Sequence, residues 1–333
     1  MKRVYITPGD KMGWAVDDDR RQLLAVLEGV AEPSSLEDAE IIHSVWWERL
    51  GAVLSRRQGR RLLCNLTGEP RRCLYRSAFR RMLRYVDLWL APSWQAYDQM
   101  RAAGLPVAHV PYTVDTTVFR RLPAAEIEEV RRQWELPADR YLIGSFQRDT
   151  EGSNLTSPKI VKGPDLFADL VVRLHRAGLP IHVVLAGPRR FWLRRQLESQ
   201  GVPFTYTCKS LRPGDDVHRN VLDRATMNGL YNIIDLYAVT SRSEGGPKAI
   251  LEAAAVGAPI VSSWVGQAPD VLAGACLYRT NTEAAAIIRR DIEQRWLRRF
   301  CEFHLAAVYA RHTPERARDK LRETYEDGNR PVE

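Results

Sequence analysis

Long apolar runs and paired cysteines are missing from this sequence, and each absence excludes a class of protein. No window reaches the roughly 18 consecutive apolar residues that span a bilayer, and residues 1–10 lack the apolar core of a signal peptide. We therefore expect a cytoplasmic protein. The five cysteines are widely spaced and form no C-x-x-C pair, which excludes both a disulfide framework and a zinc knuckle.

Lysine is also scarce, although the chain is basic. Only seven of its 49 basic residues are lysines, and its 41 acidic residues leave a formal net charge of +8. This balance favours phosphates, anionic lipids or nucleic acid as partners, and charge alone does not choose among them. Because the sequence uses arginine wherever a plain positive charge suffices, each lysine is a candidate for a specific role.

The order of the apolar residues predicts an α/β protein. The chain has 333 residues, enough for two domains, and 45% of them are hydrophobic, enough for a core in each. Short β-branched runs alternate with stretches of helical period, which indicates parallel sheets covered by helices on both faces. The candidate strands are residues 3–7, 39–45, 61–66, 88–93, 107–111, 141–147, 181–187, 204–208, 236–241, 259–263 and 276–279.

Two such strand and helix series are present, joined by a turn-rich stretch after the strand that ends at Val110. A polar helix is expected next, over residues 124–135. We therefore predict an N-terminal domain over residues 1–118 and a C-terminal domain over residues 138–309. Ligands of such sheets bind beyond the carboxyl ends of the strands, so the loops that follow strands are where functional residues are expected.

No strand is predicted after the last candidate, and the rest of the chain has a helical pattern. Residues 282–309 and 313–325 are expected to form helices that each begin at a threonine cap. In the second of them Pro314 occupies the first helical position, where a missing N–H is tolerated. We expect this C-terminal helix, over residues 313–328, to pack back on the N-terminal domain.

The most informative segment is residues 240–262, which read T-S-R-S-E-G-G-P-K-A-I-L-E-A-A-A-V-G-A-P-I-V-S. A strand ends, two glycines form a turn, and Pro247 is predicted at the first position of a helix. Gly257 ends that helix and Pro259 begins the next strand. The start of such a helix presents free N–H groups and a partial positive charge, which suits a phosphate ligand.

Two glutamates in this segment are candidates for binding hydroxyl groups. Glu244 lies just before the helix and Glu252 lies two turns along it. Because carboxylates accept hydrogen bonds from neighbouring hydroxyls, this pair could hold a sugar and a ribose. Alternatively, Lys248 and Glu252 form an ordinary surface pair and Glu244 is only a loop residue.

The segment 241–261 resembles the E-x7-E region of retaining GT-B glycosyltransferases of family 4, commonly written S-x-x-E-G-x-P-x-x-x-x-E. The resemblance is close over about residues 110–280 and only architectural before them. It implies an α/β GT-B fold, in which two Rossmann-like doubly wound domains face a cleft. The other pieces that resemble the family, in the expected order, are Ala91-Pro92-Ser93, Val114-Asp115-x-x-x-Phe119, and Gly144-Ser-Phe-Gln-Arg148 with Lys162-Gly163.

The resemblance also implies roles for individual residues. Arg148 and Lys162 would grip the diphosphate of the donor as catalytic cations, and Lys159 is the second candidate lysine. Glu244 would contact the donor sugar, and Glu252 would bind the ribose diol. Because negative charge gathers on the departing diphosphate, fixed cations are the groups that this reaction needs. The alternative is a solvated arginine and a Lys-Gly pair that only caps a helix.

The glycine-rich turn and a second loop would complete the donor site. Gly245, Gly246, Pro247 and Lys248 are the donor-binding residues of the turn, and Gly13, after the first strand, would approach the diphosphate. No P-loop or G-x-G-x-x-G sequence is present. The nearby residues 17–19 contain D-x-D, which binds manganese in another glycosyltransferase fold, but acidic residues in a first helical turn are explained by the helix dipole.

The acceptor side departs from the family pattern. Family members commonly carry a histidine after an N-domain strand, whereas residues 64–69 here read C-N-L-T-G-E. Asn65 and Thr67 of that loop, and His43 at the end of the preceding strand, are the candidate acceptor-side residues. A partly buried structural role is an equal alternative for His43.

Arginines at four-residue intervals form a further feature. Arg72, Arg76, Arg80 and Arg84 would line one face of a helix that could lie on anionic lipid at the periphery of a membrane or bind a phosphorylated acceptor. A solvated basic face is the simpler interpretation. No nucleic-acid-binding motif accompanies the charge, so nucleic acid is not expected as a partner.

Together these observations favour a hexosyltransferase-type enzyme that moves a sugar from a nucleotide-sugar to an unidentified acceptor. Retention of configuration is expected from the resemblance, with no metal and no cofactor beyond the donor itself. Two alternatives stay open. One is a GT-B-like protein that binds a ligand without catalysis, motivated by the short N-domain with few histidines, and the other is a nucleotide-sugar epimerase of related fold.

Overall fold

The computed structural model describes residues 1–9, 15–150, 154–209 and 216–326. The chain divides into two compact units. The first unit contains residues 1–113, residues 244–247 and the C-terminal segment that begins at Ala310. The second unit contains residues 114–243 and 248–309. No helix among the described residues is long and apolar enough to cross a membrane.

Within the described ranges, twelve strands form two sheets in which every observed pairing is parallel. The first unit has the order β2-β1-β3-β4-β5-β6, and the second has β12-β11-β10-β7-β8-β9. The strands are β1 (Lys2–Ile6), β2 (Ala31–Pro33), β3 (Ile41–Ser44), β4 (Arg61–Asn65), β5 (Leu88–Ala91), β6 (Val107–His109), β7 (Tyr141–Ser145), β8 (Ile181–Leu185), β9 (Phe204–Tyr206), β10 (Leu236–Val239), β11 (Ile260–Ser263) and β12 (Leu277–Tyr278).

Helices connect the strands and cover the sheets, as a parallel arrangement requires. They are α1 (Ala15–Val26), α2 (Gly51–Leu54), α3 (Pro70–Tyr75), α4 (Ser77–Leu83), α5 (Trp94–Ala102), α6 (Ala124–Gln133), α7 (Pro164–Arg176), α8 (Phe191–Ser199), α9 (Asp216–Arg219), α10 (Arg224–Ile233), α11 (Lys248–Ala255), α12 (Ala268–Val271), α13 (Asn281–Gln294), α14 (Cys301–Arg311) and α15 (Pro314–Glu326).

The first unit is built around the buried strands β3, β4 and β5. Helix α15 contributes Ala317, Leu321 and Tyr325 to the same apolar cluster as Val4 and Leu63 of the sheet. The end of the chain is therefore part of this core. In the second unit β7 and β10 are buried along their whole length, because helices cover both of their faces.

The predicted fold class is confirmed, since both units are parallel α/β sheets flanked by helices. All eleven predicted strands occur, with ends that differ by up to two residues. The prediction missed β2, because a three-residue strand that contains Glu32 and ends at Pro33 has the composition of a turn. The cysteines are free thiols, and four of them are buried, with Cys208 half-buried.

Two segments that were each predicted as one continuous helix are interrupted in the structure. Residues 282–309 are not one helix: α13 ends before Arg295, whose φ is 53°, and a 3₁₀ turn over Trp296–Phe300 precedes α14. The cap of α13 is Thr280 rather than Thr282, with its side chain accepting a hydrogen bond from the Glu283 N–H. A single left-handed residue interrupts a helix without any change in apolar period, so the sequence pattern did not reveal this break.

The predicted basic helix is also interrupted. Arg76 has extended backbone angles of φ −82° and ψ 120°, so α3 and α4 are separate helices on either side of it. The arginines at four-residue intervals are therefore not one helical row.

Candidate functional site

A glycine clamp joins two of the motif segments in the second unit. Gly163, which follows the 3₁₀ turn Ile160–Lys162, has φ 62° and is the N-cap residue just before α7. A Cβ at Gly163 would lie 1.9 Å from the carbonyl oxygen of Thr240, so only glycine fits. The Thr240 hydroxyl in turn donates to the Gly163 carbonyl at 2.8 Å. The clamp places Lys162 next to the segment that follows β10.

The same two segments are joined by Arg242. Its guanidinium donates to both carboxylate oxygens of Asp165, at 2.6 and 2.5 Å, and to the Ile160 carbonyl at 3.0 Å. The Arg242 N–H also donates to the Val161 carbonyl at 2.9 Å. The hydrogen bond from Arg242 holds the pKa of Asp165 below its usual range. The turn that carries Lys162 is therefore fixed from both ends.

Arg148 follows β7, whose neighbours in the sheet are β10 and β8. The next residue, Asp149, is 1% exposed and accepts hydrogen bonds from the Trp192 and Leu193 N–H groups at the start of α8. Burial raises the pKa of Asp149, against the opposing effect of the buried Arg190. The Asp149 carbonyl accepts from the Lys159 N–H at 2.6 Å, so Arg148 lies on backbone tied to the Lys159–Lys162 turn.

Lys159, the second candidate lysine, is 8% exposed. It lines a cavity of about 270 Å³ together with Asn154 and residues 157–161. Lys162 is half-buried and closer in sequence to the glycine clamp. Residues 151–153, which precede the Lys159–Lys162 turn in the sequence, lie outside the described residues.

Helix α11 carries Glu252, as predicted, but begins at Lys248. Pro247 therefore lies just before the first helical residue, and the predicted start of the helix was one residue too early. Gly257, with φ 74°, follows the end of the helix, where its N–H donates to the Ala254 carbonyl at 3.0 Å.

Glu252 is held by a buried tyrosine. The Tyr231 hydroxyl, on α10, donates to Glu252 Oε2 at 2.9 Å, and Tyr231 is 1% exposed. Burial, together with the negative charge of Glu252, keeps the pKa of Tyr231 well above its ordinary value, so the phenol remains a donor. The alternative of a simple Lys248–Glu252 surface pair does not account for this contact.

Tyr231 also joins the other motif segments through its ring. Phe146 of the G-S-F-Q-R segment lies 5.1 Å from it, and Phe119 of the V-D-x-x-x-F segment lies 6.2 Å from it, both edge to face. Asp115 of the latter segment pairs with Arg224 at 3.2 Å. Three motif segments that are far apart in sequence thus meet at one aromatic side chain.

The turn Glu244–Pro247 belongs to the first unit by its contacts. The Ser93 hydroxyl, which also caps α5, donates to the Gly245 carbonyl at 2.9 Å. A Cβ on Gly245 would lie 3.0 Å from the Gly68 carbonyl oxygen, and one on Gly246 would lie 2.9 Å from the Tyr112 ring. Neither glycine has a positive φ, so it is this close approach rather than the backbone angle that favours glycine at both positions.

The acceptor-side candidates form a hydrogen-bonded chain in the first unit. His43 is 1% exposed, its Nε2 lies 2.8 Å from Asn65 Oδ1, and its Nδ1 lies 2.7 Å from the Tyr325 hydroxyl. Burial lowers the pKa of His43 to about 4, so the ring is neutral. Because the amide oxygen can only accept, Nε2 donates, and the tyrosine hydroxyl donates to Nδ1. His43 is thus placed to orient Asn65.

A small cavity lies beside this chain of residues. Its volume is about 60 Å³, and Asp19, Gln22, Tyr112 and Thr113 line it along with His43 and Asn65. Thr67, the third acceptor-side candidate, is half-buried in the loop after β4. Gly13, predicted to approach the diphosphate, lies outside the described residues. In the part of the chain that the structure describes, no group of three or more His, Cys, Asp or Glu side chains could hold a metal ion.

Comparison with solved structures identifies the architecture. HepE from Anabaena, in complex with UDP and glucose, superposes with a TM-score of 0.77 at 15% identity, covering 98% of this chain and 99% of that chain. The sucrose-phosphate synthase of Thermosynechococcus elongatus gives 0.77 at 13% identity, with 98% of each chain covered. The fold is GT-B. A glycosyltransferase from Rickettsia africae is a further GT-B neighbour, with a TM-score of 0.64 at 11% identity, covering 97% and 84% of the two chains.

The sequence comparison agrees with this fold over part of the chain. Residues 153–292 match the family model of the glycosyl transferases group 1, a stretch that begins after β7 and ends within α13. No curated protein sequence matches the chain. The matched residues include Lys162, Glu244 and Glu252, whereas Arg148 lies just before them.

Sequence reasoning missed several residues that shape the site. Tyr231 and Tyr325 have the appearance of ordinary core aromatics on helices, and their hydroxyl partners are distant in sequence. Thr240 precedes the recognised motif by one residue, and its β-branched side chain resembles the end of a strand. For Gly163 the local signal in the sequence was its place in the Lys162-Gly163 pair.

Proposed function

We propose that this protein is a retaining glycosyltransferase that transfers a sugar from a nucleotide-sugar to an acceptor hydroxyl and requires no metal. The observation that carries the proposal is the junction at the carboxyl ends of β7 and β10. There the Gly163–Thr240 clamp and the Tyr231–Glu252 hydrogen bond fix a lysine and a glutamate of the matched domain.

The chemistry of transfer explains why these residue types are suited to the site. The bond between the anomeric carbon and the diphosphate oxygen breaks, and the electron pair leaves with the diphosphate. The acceptor oxygen bonds to the anomeric carbon, and its proton is taken up by the released diphosphate. Arg148 and Lys162, together with the N–H groups at the start of α11, would stabilise the growing negative charge.

The roles of the two glutamates follow from their positions. Glu252, oriented by the hydrogen bond from Tyr231, would receive the ribose hydroxyls. Glu244, next to the close-packed Gly245–Gly246 turn, would contact the donor sugar, with Lys248 beside the phosphates. A uridine nucleotide is the first donor to test, since HepE from Anabaena was solved in complexes with UDP and with UDP-glucose.

One departure motivates the second candidate function, which is ligand binding without transfer. Where the family places a histidine after an N-domain strand, this chain has Asn65, and the nearby His43 is buried with both ring nitrogens hydrogen bonded. Neither side chain is a strong base at neutral pH. Transfer therefore depends on the donor diphosphate itself to take up the acceptor proton.

The test is a panel of UDP-, GDP- and ADP-sugars incubated with the protein and a mixture of simple glycosides. We expect release of one nucleoside diphosphate, unaffected by a chelator, and a glycoside product of the same anomeric configuration as the donor by NMR. Binding of a nucleotide with no release would favour the non-catalytic alternative. Recovery of the donor with an inverted hydroxyl would favour the epimerase, and an inverted anomeric product would contradict retention.

A further inference from the structure

Helices α3 and α4 present a basic surface that the proposed site does not use. We define this basic surface as Arg71, Arg72, Arg76, Arg80, Arg81 and Arg84 with Tyr75. All seven side chains are exposed, and no acidic residue occurs between Glu69 and Asp87. Six arginines in a stretch that contains no acidic residue of its own produce a strong local positive potential.

The apolar side of the two helices is already used by the core of the first unit. Cys73, Phe79 and Val86 are buried there, and Phe79 packs against Trp47 and Trp89 at 5.3 and 5.0 Å. The helix pair therefore has no apolar face left to insert into a bilayer, unlike an amphipathic membrane helix. Contact with a partner must occur through the charged side.

Three of the arginines have structural partners and so are poor probes of this surface. Arg84 donates to the Tyr85 hydroxyl at 2.7 Å. Arg76 pairs with Glu48 at 3.3 Å and lies over the Trp47 ring at 5.6 Å. Arg80 donates to the Leu74 and Tyr75 carbonyls at the end of α3. The side chains of Arg71, Arg72 and Arg81 are the ones to substitute.

Tyr75 distinguishes this surface from a merely solvated one. Its side chain is 86% exposed in the middle of the arginines. Large aromatic side chains are seldom left in water to this degree, and tyrosine is enriched where proteins meet the headgroup region of a membrane.

We infer that the basic surface docks the protein on an anionic lipid bilayer through arginine–phosphate contacts, with Tyr75 in the headgroup region. The charges are spread over two successive helices, which suits a continuous charged plane better than a single phosphate group. Each arginine near such a plane strengthens binding roughly fivefold. Salt screens the attraction, so binding must weaken as ionic strength rises. This inference does not depend on the proposed transfer activity.

The test is co-sedimentation of the full chain with phosphatidylcholine vesicles, with and without phosphatidylglycerol, at low and high salt. The variant Arg71→Gln/Arg72→Gln/Arg81→Gln removes three charges from the basic surface. Its matched control, Arg289→Gln/Arg298→Gln/Arg299→Gln, removes three exposed charges from the second unit. Thermal melting of both variants serves as the folding control.

We expect wild type and control to bind only the phosphatidylglycerol vesicles at low salt, and the basic-surface variant to bind on the order of 100-fold more weakly. Tyr75→Ala, which keeps the charge, should bind severalfold more weakly than wild type. Equal losses in the two triple variants, or no vesicle binding by wild type, would overturn the inference. So would saturable binding of free glycerol phosphate, or of single-stranded RNA, that the basic-surface variant alone loses.

Discussion

Tyr231 donates a hydrogen bond of 2.9 Å to Glu252 Oε2, and both residues lie in the second unit on different helices. Tyr231 is also the residue where Phe119 and Phe146 meet. One buried phenol thus connects the carboxylate of the proposed ribose site to two other motif segments. Because a hydrogen bond to a charged group is worth about 1.5 to 3 kcal/mol, this contact is expected to fix the orientation of Glu252.

We predict that Tyr231→Phe weakens donor binding roughly threefold to tenfold, or about 0.7 to 1.4 kcal/mol. The ring remains to fill the core, and only the hydroxyl that orients Glu252 is lost. Titration calorimetry with the nucleoside diphosphate and its 2′-deoxy analogue measures this. The substitution should reduce the affinity for the 2′-deoxy analogue less than the affinity for the nucleoside diphosphate itself. Equal losses would mean that Tyr231 acts only through packing.

Glu252→Gln tests the ribose site itself. The amide keeps the shape and one acceptor oxygen but loses the charge, so donor affinity should fall by roughly 1 to 3 kcal/mol. Because the preference for a 2′-hydroxyl would then be largely lost, changing to a 2′-deoxy donor should cost the variant little more. A variant that still discriminates against the deoxy donor as sharply as wild type would show that Glu252 does not bind the ribose.

The glycine clamp predicts a difference between two alanine substitutions. Gly163 and Gly178 both have positive φ, 62° and 74°, but a Cβ at Gly178 meets nothing within 4 Å whereas one at Gly163 strikes the Thr240 carbonyl. Gly178→Ala should therefore lose about 1 to 2 kcal/mol of unfolding free energy from backbone strain alone. Gly163→Ala should lose a further 1 to 3 kcal/mol or so, because the overlap must be relieved.

Urea denaturation of the two variants, followed by donor binding, checks this comparison. Gly178→Ala should bind the donor like wild type, whereas Gly163→Ala should bind it more weakly because Lys162 moves. If the two substitutions were equally mild in stability and in binding, the Gly163–Thr240 contact would have no part in positioning Lys162.

The buried histidine in the first unit predicts a pH effect on stability. The pKa of His43 falls from 6.5 to about 4 on folding. Below pH 6.5 the unfolded chain therefore takes up a proton that the folded chain does not. This contribution to stability is complete above that pH and is lost as the pH falls towards 4, at up to about 1.4 kcal/mol per pH unit.

His43→Gln removes the side chain that takes up this proton on unfolding and leaves the other histidines unchanged. Its unfolding free energy should depend less steeply on pH than that of wild type between pH 6.5 and about 4, whatever its absolute stability. Denaturant titrations across this range provide the slopes. Parallel curves for the two proteins would show that His43 is protonated equally easily in the folded state.

A feature of this structure was predictable from the sequence when the residues that determine it are close together in the chain. The strands were predicted because each buried run is a local pattern, and Glu244 and Glu252 could be proposed as site residues because their motif is continuous in sequence. The break at Arg295 was missed because one left-handed residue leaves the apolar period unchanged. The His43–Tyr325 contact was missed because it joins residues 282 positions apart, and no local signal encodes such a pair.

The proposed donor site was predictable in its charged residues and not in what supports them. Charged groups at loops after strands stand out in a sequence, and lysine stands out further in this arginine-rich chain. Their supports are a threonine hydroxyl, a tyrosine hydroxyl and two glycines in close contact, which occur throughout any α/β protein. Only the assembled backbone shows which of them meet.

The central claim is that Arg148 and Lys162 stabilise the negative charge on the departing diphosphate when the sugar is transferred from a nucleotide-sugar. The most direct test is the steady-state kinetics of donor turnover by two variants, Lys162→Ala and Arg148→Ala. The surface variant Lys320→Ala is the control. Charge on the diphosphate rises as the glycosidic bond breaks, so each loss should lower kcat by about 10² to 10³ and change KM far less. The control should match wild type. A change confined to KM would contradict this claim. So would wild-type kcat and KM for folded Lys162→Ala together with a lowered kcat for Lys159→Ala.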